Sequence, residues 1–333
     1  MFLVICLKIQ DWVIDMFAYS KMELASLAKE LNFVRDTLEK VIRLSEILDY
    51  INSNPIMKHR LALKGGTAIN LTVFNLPRLS VDIDLDYCVN NSREEMLENR
   101  KEITEDLIKF MKTQGYEISS NSRNKHSLDS LVFIYQNMGG MKDNIKIEIN
   151  YSLRNHLFEL EEKGCLSDSI KTKNKILTLN VVELFAAKIN ALLSRSAIRD
   201  FYDVYNMIEY KLFNNLDLEL LHKSVVFYTV VSQEVIPEFY DLSVIDRINS
   251  RKIRSELLPV IKKGTFVKLD EMKEVVKDFL SKLLVITANE KKFLDLFKQK
   301  VYKPELLFDD AGILNRIKDH YMIAWKLQDH NKD

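Results

Sequence analysis

Asp82, Asp84 and Asp86 alternate with Val81, Ile83 and Leu85, the period of a strand that puts three carboxylates on one face. Charges that close repel one another, so such a face needs a divalent cation or a cationic ligand to neutralise it. Hard oxygen donors favour magnesium, with manganese as the alternative. Upstream, Leu61, Ala62 and Leu63 form a short apolar run, followed by Lys64, the pair Gly65 and Gly66, and Thr67 at the head of a helical pattern through Ala68, Leu71 and Thr72. That order predicts strand, tight turn and helix. The helix start offers free N–H groups to an anion, the adjacent glycines let backbone approach it closely, and Thr67 can cap the helix or present its hydroxyl. Taken singly, a glycine pair is an ordinary turn and an alternating acidic run is a solvated edge strand. In this order and at this spacing the combination reads as functional.

Two other nucleotide or metal motifs are excluded by the residues. A Walker-type phosphate loop carries its lysine after the glycines, whereas Lys64 precedes them. A calcium loop starting at Asp82 would need glycine at its sixth position and glutamate at its twelfth, which are Tyr87 and Arg93. What remains is a glycine turn able to hold phosphates, with Lys64 beside it, and a carboxylate pair able to hold metal. That is the active-site plan of nucleotidyltransferases.

Further candidates lie downstream. Ile145, Ile147 and Ile149 alternate with Lys146, Glu148 and Asn150, so Glu148 occupies a polar strand face like that of Asp82 and Asp84. It either completes a carboxylate triad or pairs with Lys146 or solvent on a half-exposed strand. From Leu179 the period becomes helical, and Asn180 with Glu183 three residues on reads as a capping box. Leu184, Ala187, Ala191 and Leu192 point inward and Lys188 lies on another face. Arg195, Arg199 and Asp203 align roughly with Lys188 if the helix continues, while Ser194 to Ala197 can instead break it in two. A lysine on a largely apolar helix is costly to bury unless its ammonium meets a partner, and both a triphosphate and Asp203 qualify. Arg195 or Arg199 is expected to approach the triphosphate or an acceptor.

The surrounding elements follow from periodicity. Two helices fit residues 21–50, a third fits 93–113 and ends by Gly115, and strands begin at 116–118 and 131–135. Residues 204–333 are almost wholly helical in pattern, with breaks near Asn214, Pro237, Pro259, Gly264 and Pro304. The chain is therefore α+β: a mixed sheet with flanking helices over 1–175 and a helical part over 176–333 that contributes Lys188 and Asp203. With 48 basic and 48 acidic residues the net charge is zero, so no global field steers the chain to nucleic acid and any RNA contact is local. Lys171, Lys173 and Lys175 form one basic strip, and Arg251, Lys252, Arg254, Lys262 and Lys263 another. Tyr321 and Trp325 read as core or lid residues. Three scattered cysteines imply a reducing cytoplasm. The apolar first residues lack a basic leader and a cleavage site, and read as a docked helix or strand or as a start placed too far upstream of Met16 or Met22. No run is long enough to span a membrane.

The segments KGGTAINL, RLSVDIDLDY, IKIEINY and ELFAAKINALLSRSAIRDFYDVY, with the weaker YKPELLF and RIKDHYMIAWK near the end, resemble the AbiEii/MenT-type toxin family of nucleotidyltransferases. The resemblance runs over nearly the whole chain after about residue 22. It implies a nucleotidyltransferase-like fold, with Gly66 and Thr67 in the phosphate-binding motif, Asp82 and Asp84 as the metal pair, Lys188 contacting the nucleotide and Asp203 as the later essential acid. Asp86 is additional to the common pair. It further implies a type IV toxin, expected as a monomer with an AbiEi-like antitoxin acting at the gene or activity level. Such a toxin moves a nucleotide from an NTP to RNA, with the acceptor end of tRNA as the expected target, and acts in abortive infection against phage. A transferase acting on a protein side chain or small molecule, and a non-catalytic nucleotide-binding module, are the competing functions.

Overall fold

The computed structural model describes residues 19–328, so the expectation for the apolar first residues lies outside the described residues. The described chain opens on α1 (Lys21–Glu30), whose Ser20 and Glu23 close a capping box, and α2 (Arg35–Ser53). β1 (Leu61–Lys64) turns directly into α3 (Gly65–Ala68), which widens into a π-type turn over Ile69–Val73. β2 (Asp82–Tyr87) follows, then α4 (Arg93–Thr113), capped by Ser92 and Glu95. The remaining strands are β3 (Glu117–Ile118), β4 (Arg123–Asn124), β5 (Leu128–Gln136), β6 (Lys142–Asn150), β7 (Glu161–Lys163) and β8 (Ile176–Thr178).

All eight strands join one mixed sheet in the order β3-β5-β6-β2-β1-β8-β7, with β4 on β5. β2 sits at its centre, antiparallel to β1 and parallel to β6. Because side chains alternate across a sheet, the register decides which residues share a face. Asp84 is opposite Lys64 on one side and Glu148 on the other, and Asp86 is opposite Asn150. The other face carries Leu63, Ile83, Leu85, Ile147 and Ile149, all essentially inaccessible to water, each contributing roughly 1.5–3 kcal/mol by burial. A shift of one residue in β2 would bury the aspartates and expose those aliphatics, so the core itself fixes the aspartates' direction.

The sheet extends past residue 175, since β8 pairs with β1, so the helical part starts after Thr178. It comprises α5 (Val181–Arg195), α6 (Ile198–Glu209), α7 (Asn215–Ser232), α8 (Ser250–Lys252), α9 (Leu269–Leu283), α10 (Ala288–Lys298), α11 (Ala311–Ile317) and α12 (Tyr321–Leu327). α5 and α6 are separate helices, parted at Ser196 with a left-handed φ of 51°. Asn180 caps α5 through the Val182 N–H. Glu183 does not return to complete the expected capping box: its carboxylate accepts from the Leu157 and Phe158 N–H groups and from the Tyr228 hydroxyl. Those buried partners outcompete the local one, which would have left three donors unsatisfied. Among the described residues no helix is long and apolar enough to cross a membrane.

Candidate active site

Both glycines of the β1–α3 turn are required by close approach. Gly65 has a φ of 69°, and a Cβ there would lie 2.6 Å from Asp84 Oδ2. A Cβ on Gly66 would lie 2.6 Å from Arg78 Nη2 and 2.8 Å from Ser80 Oγ. Thr67, expected as a cap or anion contact, is buried, and its hydroxyl donates to the backbone oxygen of Asp82. It therefore ties the turn to the acidic strand. Gly66→Ala is expected to push the Arg78 guanidinium aside and lower turnover about 10²-fold, the scale of a misplacement near 1 Å; steady-state kinetics at equal protein concentration checks this.

The carboxylate face grades from open to closed along β2: Asp82 and Asp84 are half-buried and Asp86 is buried. Lys64 pairs with Asp86 at 2.5 Å, so the extra aspartate is the counter-charge of that lysine at the cleft floor. Burial pushes the Asp84 carboxyl above the usual range, Lys64 opposes this, and repulsion from Asp82 and Glu148 adds to the rise. Glu148 stands on the Asp84 face, as the alternation predicts, while its carboxylate reaches Lys146 Nζ at 2.9 Å. Among the described residues no three His, Cys, Asp or Glu side chains form a preformed metal cage. The donor set still suits magnesium, which binds through one or two carboxylates and completes its shell with water and substrate phosphate. Among the described residues no lysine or arginine pairs with Asp82 or Asp84, since Lys64 and Lys146 are engaged elsewhere.

α5 and α7 supply the opposite wall, with α6 packed against α5. Because the chain turns at Ser196, α6 folds back and brings Asp200 and Asp203 to Lys188, at 2.8 Å and 3.2 Å. Arg195 Nη2 reaches Asp200 at 2.7 Å. Arg78 Nε and Nη2 donate to the two carboxylate oxygens of Asp203 at 2.7 and 2.6 Å, with both residues fully buried. Asn70 bridges Asp203 Oδ1 and the Gly66 carbonyl. Arg78, Lys188 and Arg195 thus face two carboxylates, an excess of one positive charge. Burial works against ionisation of Asp200, but Lys188 and Arg195 outweigh it and hold its carboxyl below the usual range.

These walls enclose a cleft of about 580 Å³ lined by Gly65, Gly66, Asp84, Asp86, Lys188 and Arg195, among others. Its volume falls in the range of small-molecule sites. Of the expected site residues, Thr67, Asp82, Glu148, Arg199 and Asp203 do not line it: Thr67 is buried, Asp82 and Glu148 lie on the same sheet face as Asp84, Asp203 sits behind Lys188, and Arg199 is half-buried elsewhere on α6. Beneath the cleft, His156 Nδ1 lies 3.0 Å from Glu183 Oε1 and its Nε2 lies 3.3 Å from Cys88 Sγ. Burial works against its charge, yet Glu183 and the Cys88 bond hold its pKa well above 6.5. The folded state then keeps this proton when the unfolded chain has lost it, so the stabilisation is complete below about 6.5 and is lost as pH rises through the folded value. Buried His320 is pushed down to about 4, by burial and by His156, so its effect is lost on the acid side. Melting temperature should fall in both directions from near-neutral pH, and His156→Gln should flatten the alkaline limb.

A family model described as "Nucleotidyl transferase AbiEii toxin, Type IV TA system" matches residues 46–297, most of the chain and all of the cleft lining except Met322 of α12. The chain belongs to the AbiEii family. Among solved structures it is similar to MenT4, a nucleotidyltransferase toxin of Mycobacterium tuberculosis, with a TM-score of 0.63 at 15% identity over 92% of this chain and 99% of that one. At that identity the likeness speaks for the fold. No curated protein matches the sequence.

Within this AbiEii chain, the fold gathers Gly65, Gly66, Lys64, Asp84 and Lys188 around one cleft, with Asp82 and Glu148 on the same sheet face. Sequence reasoning missed Arg78 and Asp200. Arg78 follows Pro77 and reads as a turn residue, although it opens the segment RLSVDIDLDY that carried the resemblance. Asp200 lies in the other such segment, in the first turn of α6.

Proposed function

We infer that the chain is a metal-dependent nucleotidyltransferase toxin that transfers a nucleotide from an NTP to RNA, the acceptor end of tRNA, and so blocks translation in the cytoplasm. Nucleotidyl transfer follows from the family. The observation that carries the reading is the single cleft in which a backbone turn, the Asp84 carboxylate and a cationic wall face one another, with Asp82 beside Asp84 on the same sheet face. Gly65 and Gly66 would let backbone approach the triphosphate. Lys188 and Arg195 would bind the charge that develops on the departing pyrophosphate, held in place beforehand by Asp200 and Asp203. Asp82 and Asp84, with Glu148 if it leaves Lys146, would hold magnesium. When bound, that ion supplies charge neutralisation and eases deprotonation of the attacking hydroxyl. No side chain needs to form a covalent intermediate, because positioning and electrostatics provide most of the acceleration. A cognate antitoxin is the expected partner of such a toxin.

The test is incubation of the purified protein with total RNA and each of the four labelled NTPs, with magnesium and with EDTA. Label should enter RNA from one or more NTPs, with the tRNA fraction carrying it, and EDTA should abolish the signal. Label appearing in protein or in small molecules, with RNA unlabelled, would reassign the acceptor.

A further inference from the structure

The cleft does not end at Arg195. A second cavity, of about 180 Å³, opens against its far end and shares Asn190, Ser194 and Gln233 with it. Its other walls come from Leu193, Thr229 and Val244 and from the loop after α7, mostly apolar through Val235, Pro237, Phe239 and Tyr240 and ending at Asp241. The loop is anchored at both ends: Lys326 of α12 donates to the Val230 and Gln233 carbonyls at the end of α7, and the Tyr240 hydroxyl bonds Thr229, which also holds the Asn190 side chain. On this fixed loop Phe239 is 71% exposed and Val235 82% exposed. A large aromatic held out beside a polar cleft leaves apolar surface in water that a flat ligand would cover.

We propose that this annex is a nucleobase subsite, in which a base inserts beside Phe239 and Pro237 while its phosphates or ribose extend into the main cleft. The assignment rests on the donor-site reading of that cleft. Size supports a single ring system, since an apolar cavity of roughly 150 Å³ accepts one benzene ring. Composition supports a base over an aliphatic chain: the apolar walls end at the Asn190, Ser194 and Gln233 lip, and an amide such as Gln233 offers both donor and acceptor to a base edge. Continuity with the cleft supplies the rest, because a base here would hang from phosphates held near Arg195 and Lys188. Two nucleotides meet in a transferase, and either the donor's base or the acceptor's terminal base has this chemistry.

The test uses the full chain with Phe239→Ala and Phe239→Trp, measuring binding of ATP, GTP, CTP and UTP and of inorganic tripolyphosphate by titration calorimetry, and the KM for RNA. Phe239 is exposed, so neither substitution should change the melting temperature. If the annex holds the donor's base, Phe239→Ala weakens the preferred NTP about tenfold, leaves tripolyphosphate binding unchanged, and Phe239→Trp restores NTP affinity. If it holds the acceptor's base, NTP affinity is unchanged and the KM for RNA rises by a similar factor, again restored by tryptophan. Unchanged NTP affinity together with unchanged KM for RNA overturns the subsite. Wild-type protein that binds neither tripolyphosphate nor any NTP overturns the donor-site reading itself, and the annex assignment falls with it.

Discussion

Asp84→Asn should reduce nucleotidyl transfer about 10³-fold while leaving the melting temperature of the ligand-free protein unchanged or raised. The carboxylate sits on a sheet face with Asp82 and Glu148, and burial with their repulsion holds its carboxyl up. A carboxyl whose folded pKa exceeds the unfolded one destabilises the native state as pH rises through that interval, so at neutral pH its charge is a liability to the empty fold. Removing that charge relieves the fold and removes the oxygen donor that would hold magnesium. Opposite signs in stability and activity are the signature of a residue kept for chemistry. A large drop in melting temperature would show that Asp84 is structural. Full activity in a protein of unchanged stability would remove it from the reaction.

Asp203→Asn should do the reverse of what a cleft acid would do: it should destabilise strongly, by about 3–5 kcal/mol, the scale of breaking a buried ion pair from one side. Arg78 is fully buried and spends two of its nitrogens on Asp203, so the variant leaves a guanidinium in the interior with no carboxylate in contact. Lys188→Ala removes less, because Asp203 keeps Arg78 and Asp200 keeps Arg195. The melting-temperature loss for Lys188→Ala should therefore be well below that for Asp203→Asn, with a clear loss of NTP affinity besides. The double variant Arg78→Met/Asp203→Leu separates the roles: replacing both charges by apolar groups should recover much of the stability, while the support under Gly66 is gone and turnover stays low. If Asp203→Asn melts like the parent protein, the buried pair is not what holds α6 to the turn.

The contrast between these two aspartates also shows which parts of the site were legible. Asp84 was readable because strand alternation is local, and its partners across the sheet follow from the same alternation in β6. Asp203 was recognisable as important through the motif that contains it, but its position behind Lys188 depends on the fold-back at Ser196, a residue in the left-handed region that no apolar period announces. Arg78 opens a recognisable segment, but its role could not be read from its neighbours because its partner is 125 residues away. Glu183 was misread for a related reason: Asn180 followed three residues later by glutamate satisfies a local rule, and the rule lost to Tyr228 and the 157–158 backbone, which only tertiary packing brings near. Thr67 was read from its place at the helix start as a cap or an anion contact, whereas the adjacent strand takes its hydroxyl. Tyr321 and Trp325 also divide: Tyr321 lies under the Arg154 guanidinium, whereas Trp325 is about half exposed and so is no core residue. Periodicity sets the sheet, the helices and the direction of the carboxylates. The ion-pair framework that supports them is long-range and appears only in the folded chain.

Position-specific labelling distinguishes a cleft that moves a nucleoside monophosphate from one that moves a phosphoryl group. With the NTP that the chain uses, an α-phosphorus label should enter RNA while a γ-phosphorus label is released as pyrophosphate, and both events should disappear in Asp84→Asn. Incorporation of the γ label into the acceptor, or α-label incorporation that survives in Asp84→Asn, would contradict nucleoside monophosphate transfer by this cleft.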